Sequence, residues 1–329
     1  MDGLQQVKRK NMWGHPVYAQ FLPEIDPFHN PDLFRPLAQA YNGINTFWSI
    51  PSPEPDLPDW FWAQLAEQLV NDPLRAAATA LAAQIAAWEP NFERLMMVSI
   101  LRAGVPIADW LTQLLPGSQT VSMSLFVGLG IDSVALSTLQ QAYPEHRLLF
   151  VDGWTGRGGV ARELAKLNIA PLATLLDPWG WADFSGTQTD LFCPTACFTG
   201  PTTLGFSRTF FTEPIRMFSA YLFPESYTRL DLVRQWQRGC KPVPVAVSHT
   251  RKRFFQETTL RVHSNEVCRA LINGNPGTIY FAESHSQVET DYALLLALAE
   301  LRHISVMFEV TWLRDYQTKV ACLPHGSKT

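Results

Sequence analysis

From Leu95 the chain falls into a regular alternation of two hydrophobic patterns. Continuous apolar runs, "LMMVSIL", "QTVSMSLF", "RLLFVDG" and "LATLLDP", read as strands buried on both faces. Between them "GVPIADWLTQLL", "DSVALSTLQQAY" and "VARELAKL" repeat their apolar positions every three or four residues, the period of a helix with one buried side. Strand and helix in strict alternation imply a parallel sheet with helices on its faces. After a loop-rich middle the alternation returns in "NEVCRALING", "TIYFAES", "VETDYALLLALAELRH", "SVMFEVTW" and "KVACLPH". Ahead of it all runs an aromatic and Pro-rich arm, followed by an Ala-rich stretch that predicts one long helix from Trp60 to Trp88. The expected organisation is an arm and helical cap over 1–90, an α/β core over 91–240, and a C-terminal α/β part over 241–329 that completes or extends that core. The cap's Trp and Phe residues read as packing anchors, on an inner surface or at an interface.

Composition narrows this little. The 329 residues are 47% hydrophobic, enough for a substantial core, and the net charge is −4. Basic residues are dispersed except in "TRKRFF" at 250–255, so no nucleic-acid footprint stands out. The most apolar helix, starting at Tyr292, is too short to span a bilayer, and "MDGLQQVKRKNMW" has no apolar signal core, so a cytoplasmic address is expected. Five cysteines, an odd number in a large chain, read as reduced thiols.

Two turns carry candidate chemistry. In "LLFVDGWTGRGGVARELAKL" a buried strand ends at Asp152 and feeds Thr155 and a set of glycines into a helix start, where unpaired N–H groups and the helix dipole favour an anion. It is neither a Walker A loop nor a dinucleotide fingerprint. In "SILRAGVPIADWL" a second strand ends at Arg102, Ala103 and Gly104, so that Arg102 projects at the same sheet edge as Asp152. An arginine fork clamps phosphate, a glycine loop holds another, and a carboxylate between them meets sugar hydroxyls. That arrangement suits a ribose bearing phosphates at both ends.

The segments "ILRAG" and "LLFVDGWTGRGG" resemble the pyrophosphate and phosphate loops of type I phosphoribosyltransferases. With "GIDSVAL", "LLDPWGWADFSGTQTDLFCPTACFTGPTTLGFSRTFF" and "ETTLRV", most of the chain resembles the tellurium-resistance-associated predicted phosphoribosyltransferase family that also bears the label cysteine protease StiP. The resemblance implies a phosphoribosyltransferase-like sheet and a glycosyltransferase of nucleotide metabolism acting on phosphoribosyl pyrophosphate or another ribose phosphate. A small-molecule acceptor and a substrate-bound magnesium ion would complete the reaction. Asp152 would bind the ribose and, through the substrate, the magnesium. Thr155, Gly156, Arg157, Gly158 and Gly159 would hold the 5′-phosphate, and Arg102, Ala103 and Gly104 would meet pyrophosphate. Cys197, Thr199 and Asp132 would line the acceptor pocket. No nucleic acid or membrane partner is expected, and a homodimer is allowed. The type I signature has a second acidic residue where this chain has Gly153, and related sequences carry arginines where it has Val127 and Leu129.

A rival reading starts from "TDLFCPTACFTGPTT". Cys193 and Cys197 lack a second pair at zinc spacing, so metal is set aside. Cys197 as the nucleophile of a thiol hydrolase is the alternative, with His249, His263 and His285 available downstream, against buried cysteines that merely pack. A non-catalytic nucleotide sensor on the same fold is a third. Glu283, Ser284, His285, Asp177 and the 250–255 cluster read as strand-end polar groups, caps or solvated charge.

Overall fold

The computed structural model describes residues 9–35, 49–69, 71–211, 218–245 and 252–324. In chain order, the arm contains β1 (Arg9–Lys10), β2 (Pro16–Val17) and β3 (Gln20–Glu24), and the cap contains α1 (Asp59–Gln68) and α2 (Asp72–Trp88). The core follows as β4 (Leu95–Ile100), α3 (Gly104–Leu114), β5 (Gln119–Met123), β6 (Leu125–Phe126), β7 (Gly130–Ile131), α4 (Ser133–Ala142), β8 (Arg147–Trp154), α5 (Gly159–Leu167), β9 (Leu172–Leu176) and β10 (Phe184–Thr187). Beyond a 3-10 turn at Pro194–Cys197 lie α6 (Gly200–Thr203), β11 (Ser219–Leu222) and α7 (Leu230–Gly239). The last part holds β12 (Arg261–Val262), α8 (Ser264–Asn273), β13 (Ile279–Phe281), α9 (His285–Asp291), α10 (Ala293–Leu301), β14 (Val306–Met307) and β15 (Val320–Cys322).

The protein is an α/β fold around a seven-stranded sheet of order β1-β2-β5-β4-β8-β9-β10. From β2 to β10 every pairing is parallel, and only β1 runs antiparallel to its neighbour. Alternation along the strands explains the continuous apolar runs. Leu95 and Met97 of β4 face a core shared with α2, α3 and α8, whereas Met96, Val98 and Ile100 face a second core with α4 and α5. A strand covered on both faces has no polar side to show.

The arm and the C-terminal part are woven into this architecture. β1 and β2 extend the central sheet beside β5, and β3 pairs in parallel with β11. The C-terminal strands form a mixed four-stranded sheet of order β12-β15-β13-β14.

Several elements differ from the pattern reading for local reasons. The helix expected over Trp60 to Trp88 is two, because Asn71 caps a new start by accepting from the Leu74 N–H and Pro73 occupies its first turn. The "QTVSMSLF" run continues past β5 into a small hairpin, β6 against β7, that leaves the main sheet. β8 runs on through Asp152 to Trp154, two residues past the expected end. The long C-terminal helix divides at Tyr292, and "SVMFEVTW" keeps only Val306–Met307 as strand before a 3-10 turn over Thr311–Tyr316. Among the described residues no helix is long and apolar enough to cross a membrane.

One contact sets how closely α3 seats on β8. At Gly104 a Cβ would lie 2.2 Å from the Val151 carbonyl oxygen, a distance at which only glycine fits. Gly104→Ala is therefore expected to lower stability by about 1–3 kcal/mol, the usual cost of overpacking, measured as a fall in the urea midpoint at unchanged slope. An unchanged midpoint would show that the helix lifts off the strand without cost.

Candidate functional site

The carboxyl ends of β4 and β8, the β6–β7 hairpin and the cavity-facing side of α8 enclose a cavity of about 480 Å³. This is the edge at which open parallel sheets bind ligands. Six arginines contribute to its wall, Arg102, Arg157, Arg162, Arg208, Arg261 and Arg269, against two carboxylates, Asp152 and Glu266. In a chain of net charge −4 that is a local excess of positive charge. A cavity wall of this kind favours an anionic guest.

The loop after β8 is held from below. Thr155 donates its hydroxyl to Asp177, which also accepts the Trp181 and Ala182 N–H groups at 2.8 and 2.9 Å, so Asp177 ties the loop to the turn after β9. Gly158 has φ of 75° and lies against Trp181, whose ring would stand 2.1 Å from any Cβ there. Arg157 donates to the Thr258 carbonyl, and Arg162 to the Arg157 carbonyl at 2.6 Å. The hairpin closes over this helix start through the Gly128 N–H, which donates to Glu163 at 2.9 Å. Asp152 is buried beside Gly153, whose N–H donates to it at 2.8 Å. Burial, with the Glu266 carboxylate nearby, outweighs that hydrogen bond and the Arg269 charge, and pushes the Asp152 carboxyl up to about 7.

Arg102 stands on the cavity wall with its donors engaged. Nη1 meets both oxygens of Glu54 at 2.8 Å, and Nη2 donates to Asn273 at 2.9 Å. Glu54 also accepts the Gly200 N–H at 3.2 Å.

Behind the wall lies a cluster of thiols. α8 clamps the segment 191–198 through Asn265, which accepts the Cys193 N–H at 2.8 Å and donates to the Leu191 carbonyl at 2.8 Å. Arg269 donates to the Phe198 carbonyl at 2.7 Å, and Cys268 Sγ sits 3.6 Å from Cys197 Sγ. All five cysteines are free and buried. Burial raises the Cys193 thiol to about 11 and the Cys197 thiol well above the ordinary value, Cys268 adding to the latter. Burial and the neighbouring Arg102 charge bring the Arg269 guanidinium down to about 10.

His263 begins the same helix. Its ring is buried edge-on against Trp179, and Nδ1 stands 3.5 Å from Asp190, long for a hydrogen bond. Asp190 accepts the N–H and hydroxyl of Ser264 at 3.1 and 2.8 Å. Burial raises the Asp190 carboxyl, but His263 and Ser264 outweigh it and hold it below the ordinary value.

Eight of the residues singled out in the sequence share the cavity wall: Arg102, Ala103, Asp152, Thr155, Gly156, Arg157, Gly158 and Gly159. Four do not. Gly104 packs on β8; Asp132 caps α4 through the Ala135 N–H and ties the Phe218 N–H; Thr199 bonds Thr202 at 2.7 Å; Cys197 faces Cys268. His285 lies in the open, pairing with Glu289 and resting on Phe308, and His249 falls outside the described residues. The sequence reading missed Glu54, Glu266, Arg269 and Asn273. The last three had a signal, because in "NEVCRALING" they recur at helical spacing on one face.

Fold and site thus define an α/β protein with an arginine-walled cavity at the carboxyl edge of its sheet and a thiol cluster behind it. Residues 51–236, more than half of the chain, match the family described as tellurite-like stress resistance cysteine protease StiP, and the chain belongs to that family. A protein of Acinetobacter baylyi named cysteine protease StiP is 31% identical, in an alignment covering 31% of this chain and 30% of the relative. The chain therefore spans under a third of that relative's length. Solved structures include a purine phosphoribosyltransferase from Pyrococcus horikoshii (15% identity, TM-score 0.22, 39% of this chain and 79% of that one) and an L-threonine transaldolase from Pseudomonas fluorescens (17% identity, TM-score 0.20, 47% and 40%).

Family membership corrects the expectation of a phosphoribosyltransferase. The label that the match and the relative carry is a cysteine protease, a hydrolase, and it replaces glycosyl transfer, phosphoribosyl pyrophosphate and nucleotide metabolism as the functional vocabulary. The geometry gives a physical reason for the misreading. The groups that resemble phosphate-holding loops direct their side-chain donors inward, Arg102 to Glu54 and Thr155 to Asp177.

Two outcomes follow. With its carboxyl near 7 in the fold against the ordinary 3.8, Asp152 keeps a proton that the unfolded chain releases, so its contribution to stability is full below about pH 4 and is lost as pH rises through about 7. Asp152→Asn should accordingly be more stable than the parent by up to about 4 kcal/mol at pH 8 and nearly equal to it at pH 4, in urea titrations at the two pH values. A constant difference would place the charge elsewhere. Glu54→Ala, which strands a buried guanidinium, should cost about 3–5 kcal/mol by the same measurement.

Proposed function

We propose that the protein is a cysteine-dependent hydrolase of the StiP type, with Cys197 as the nucleophile and His263, oriented by Asp190, as the base. One observation carries the reading: α8 alone bears the His263 start, the Asn265 and Cys268 contacts to the cysteine segment, and the Glu266, Arg269 and Asn273 wall of the cavity. Nucleophile, orienting group and substrate wall are thereby referred to one rigid element. Of the three downstream histidines, His263 is the described one that is buried with a buried carboxylate, Asp190, 3.5 Å from its ring.

The chemistry is that of thiol acyl transfer. The imidazole takes the Cys197 proton, sulfur bonds to the acyl carbon, and the imidazolium returns the proton to the leaving group as its bond to that carbon breaks. Water then cleaves the thioester and regenerates the thiol. The arginine wall suits an acyl substrate with negative charge near the scissile bond. In the described fold the Cys197 thiol is buried and protonated, so this is a resting arrangement, and catalysis requires segment 191–198 to shift on α8 until sulfur reaches the ring.

Hydrolysis of fluorescein-labelled casein tests the reading. Cys197→Ser should lower kcat/KM by about 10³-fold or more, and His263→Gln should lower it as well, whereas Cys193→Ser keeps most activity. Full turnover by Cys197→Ser at equal folded fraction would sink the assignment, as would a parent protein that leaves both casein and a small thioester intact.

A further inference from the structure

We propose that Cys197 and Cys268 are an oxidative modification site, at which a peroxide joins the two thiols into a disulfide that pins the 3-10 turn Pro194–Cys197 to α8. Their sulfurs are 3.6 Å apart, the sulfur–sulfur contact among the described cysteines. Formation of the bond needs an approach to about 2.0 Å. Two of the other three thiols have contacts elsewhere. Cys193 lies 3.0 Å from the Thr195 hydroxyl, and Cys240 donates to the Trp236 carbonyl at 2.9 Å.

The place of the pair gives the oxidant a route. Arg269 follows Cys268 in α8, lines the cavity, and donates to the carbonyl of Phe198, the residue after Cys197. The same guanidinium thus touches both the cavity and the cysteine segment, and its charge favours the Cys197 thiolate that reaction requires. The Cys197 thiolate attacks one peroxide oxygen, the O–O bond breaks, and the departing hydroxide takes up a proton to leave as water, giving a sulfenic acid. Cys268 sulfur then attacks Cys197 sulfur, the S–O bond breaks, and a second water leaves with the Cys268 proton. The balance is two thiols and one peroxide to one disulfide and two waters. Burial makes the reaction slow at neutral pH and faster as pH rises, because the thiolate fraction limits it.

The pairing stands on geometry alone. Its consequence, that oxidation removes the nucleophile and locks the segment whose shift catalysis needs, rests on the hydrolase reading above. Full-length protein would be treated with hydrogen peroxide, its remaining thiols alkylated, and the chain digested without reduction for mass analysis. The expected product is a Cys197–Cys268 linked peptide pair lighter by two hydrogens, present also in Cys193→Ser, absent in Cys268→Ser, and reversed by dithiothreitol, with casein hydrolysis falling and recovering in step. A Cys193–Cys197 link, or sulfinic and sulfonic products at unlinked Cys197 and Cys268, would overturn the proposal. The link forming in protein that never hydrolyses casein would uphold the pair while removing the hydrolase reading.

Discussion

The Glu54 carboxylate is the point on which the site's geometry hangs. It receives two hydrogen bonds from Arg102 and one from the Gly200 N–H, while the other end of the Arg102 fork reaches Asn273. Four stretches far apart in sequence meet there: the segment before the cap helices, the β4–α3 turn, the start of α6 and the end of α8. Both partners are nearly removed from water, with side-chain exposures of 9% and 1%. A buried pair of this kind adds little net stability over an apolar contact of equal shape, yet losing one partner leaves a stranded charge. Its value is in position. The cavity keeps its shape because the ions admit one arrangement of the four segments.

From that anchor α8 distributes the site. Residues three and four apart on a helix share a face, so Glu266, Arg269 and Asn273 turn together toward the cavity while Asn265 and Cys268 turn toward the cysteine segment. Glu266 is itself fixed by the Trp154 indole N–H at 3.1 Å, which links the helix back to the end of β8. Arg269 belongs to both sides. Its guanidinium lines the cavity and holds the Phe198 carbonyl. Cavity wall and cysteine segment thus share this side chain.

The β-α alternation, the strand at 95–100, the helix at 104–114 and the placement of Asp152 at a sheet edge were legible because each rests on local periodicity and on the rule that parallel strands need crossovers. The break at Asn71 carried its own signals, a cap residue and a first-turn proline, that the Ala-rich apolar stripe on either side obscured. The β6–β7 hairpin carried a local mark in Gly128 and Gly130, both at positive φ, which the apolar residues continuing the pattern of β5 obscured. Least legible were the pairings. Glu54 finds Arg102 48 residues on, and Cys197 finds Cys268 71 residues on, and polar or thiol partners at such separations leave no periodic trace.

The resemblance to phosphate-binding loops was real at the level of residue types, and it is instructive that it did not carry the function. A strand-end acid, a glycine-rich turn and an arginine after a neighbouring strand are residue types that the carboxyl edge of a parallel sheet can carry for unrelated functions. Their chemistry depends on where the donors point. In this chain the Thr155 hydroxyl is spent on Asp177 and the Arg102 fork on Glu54 and Asn273, so those groups brace the wall, while Arg157 and Arg162 after β8 and Arg208, Arg261 and Arg269 from later segments add positive charge to it. The same scaffold edge thus holds a site walled mainly by the core's strand-end loops, to which α8, outside the loop motifs, adds Glu266, Arg269 and Asn273.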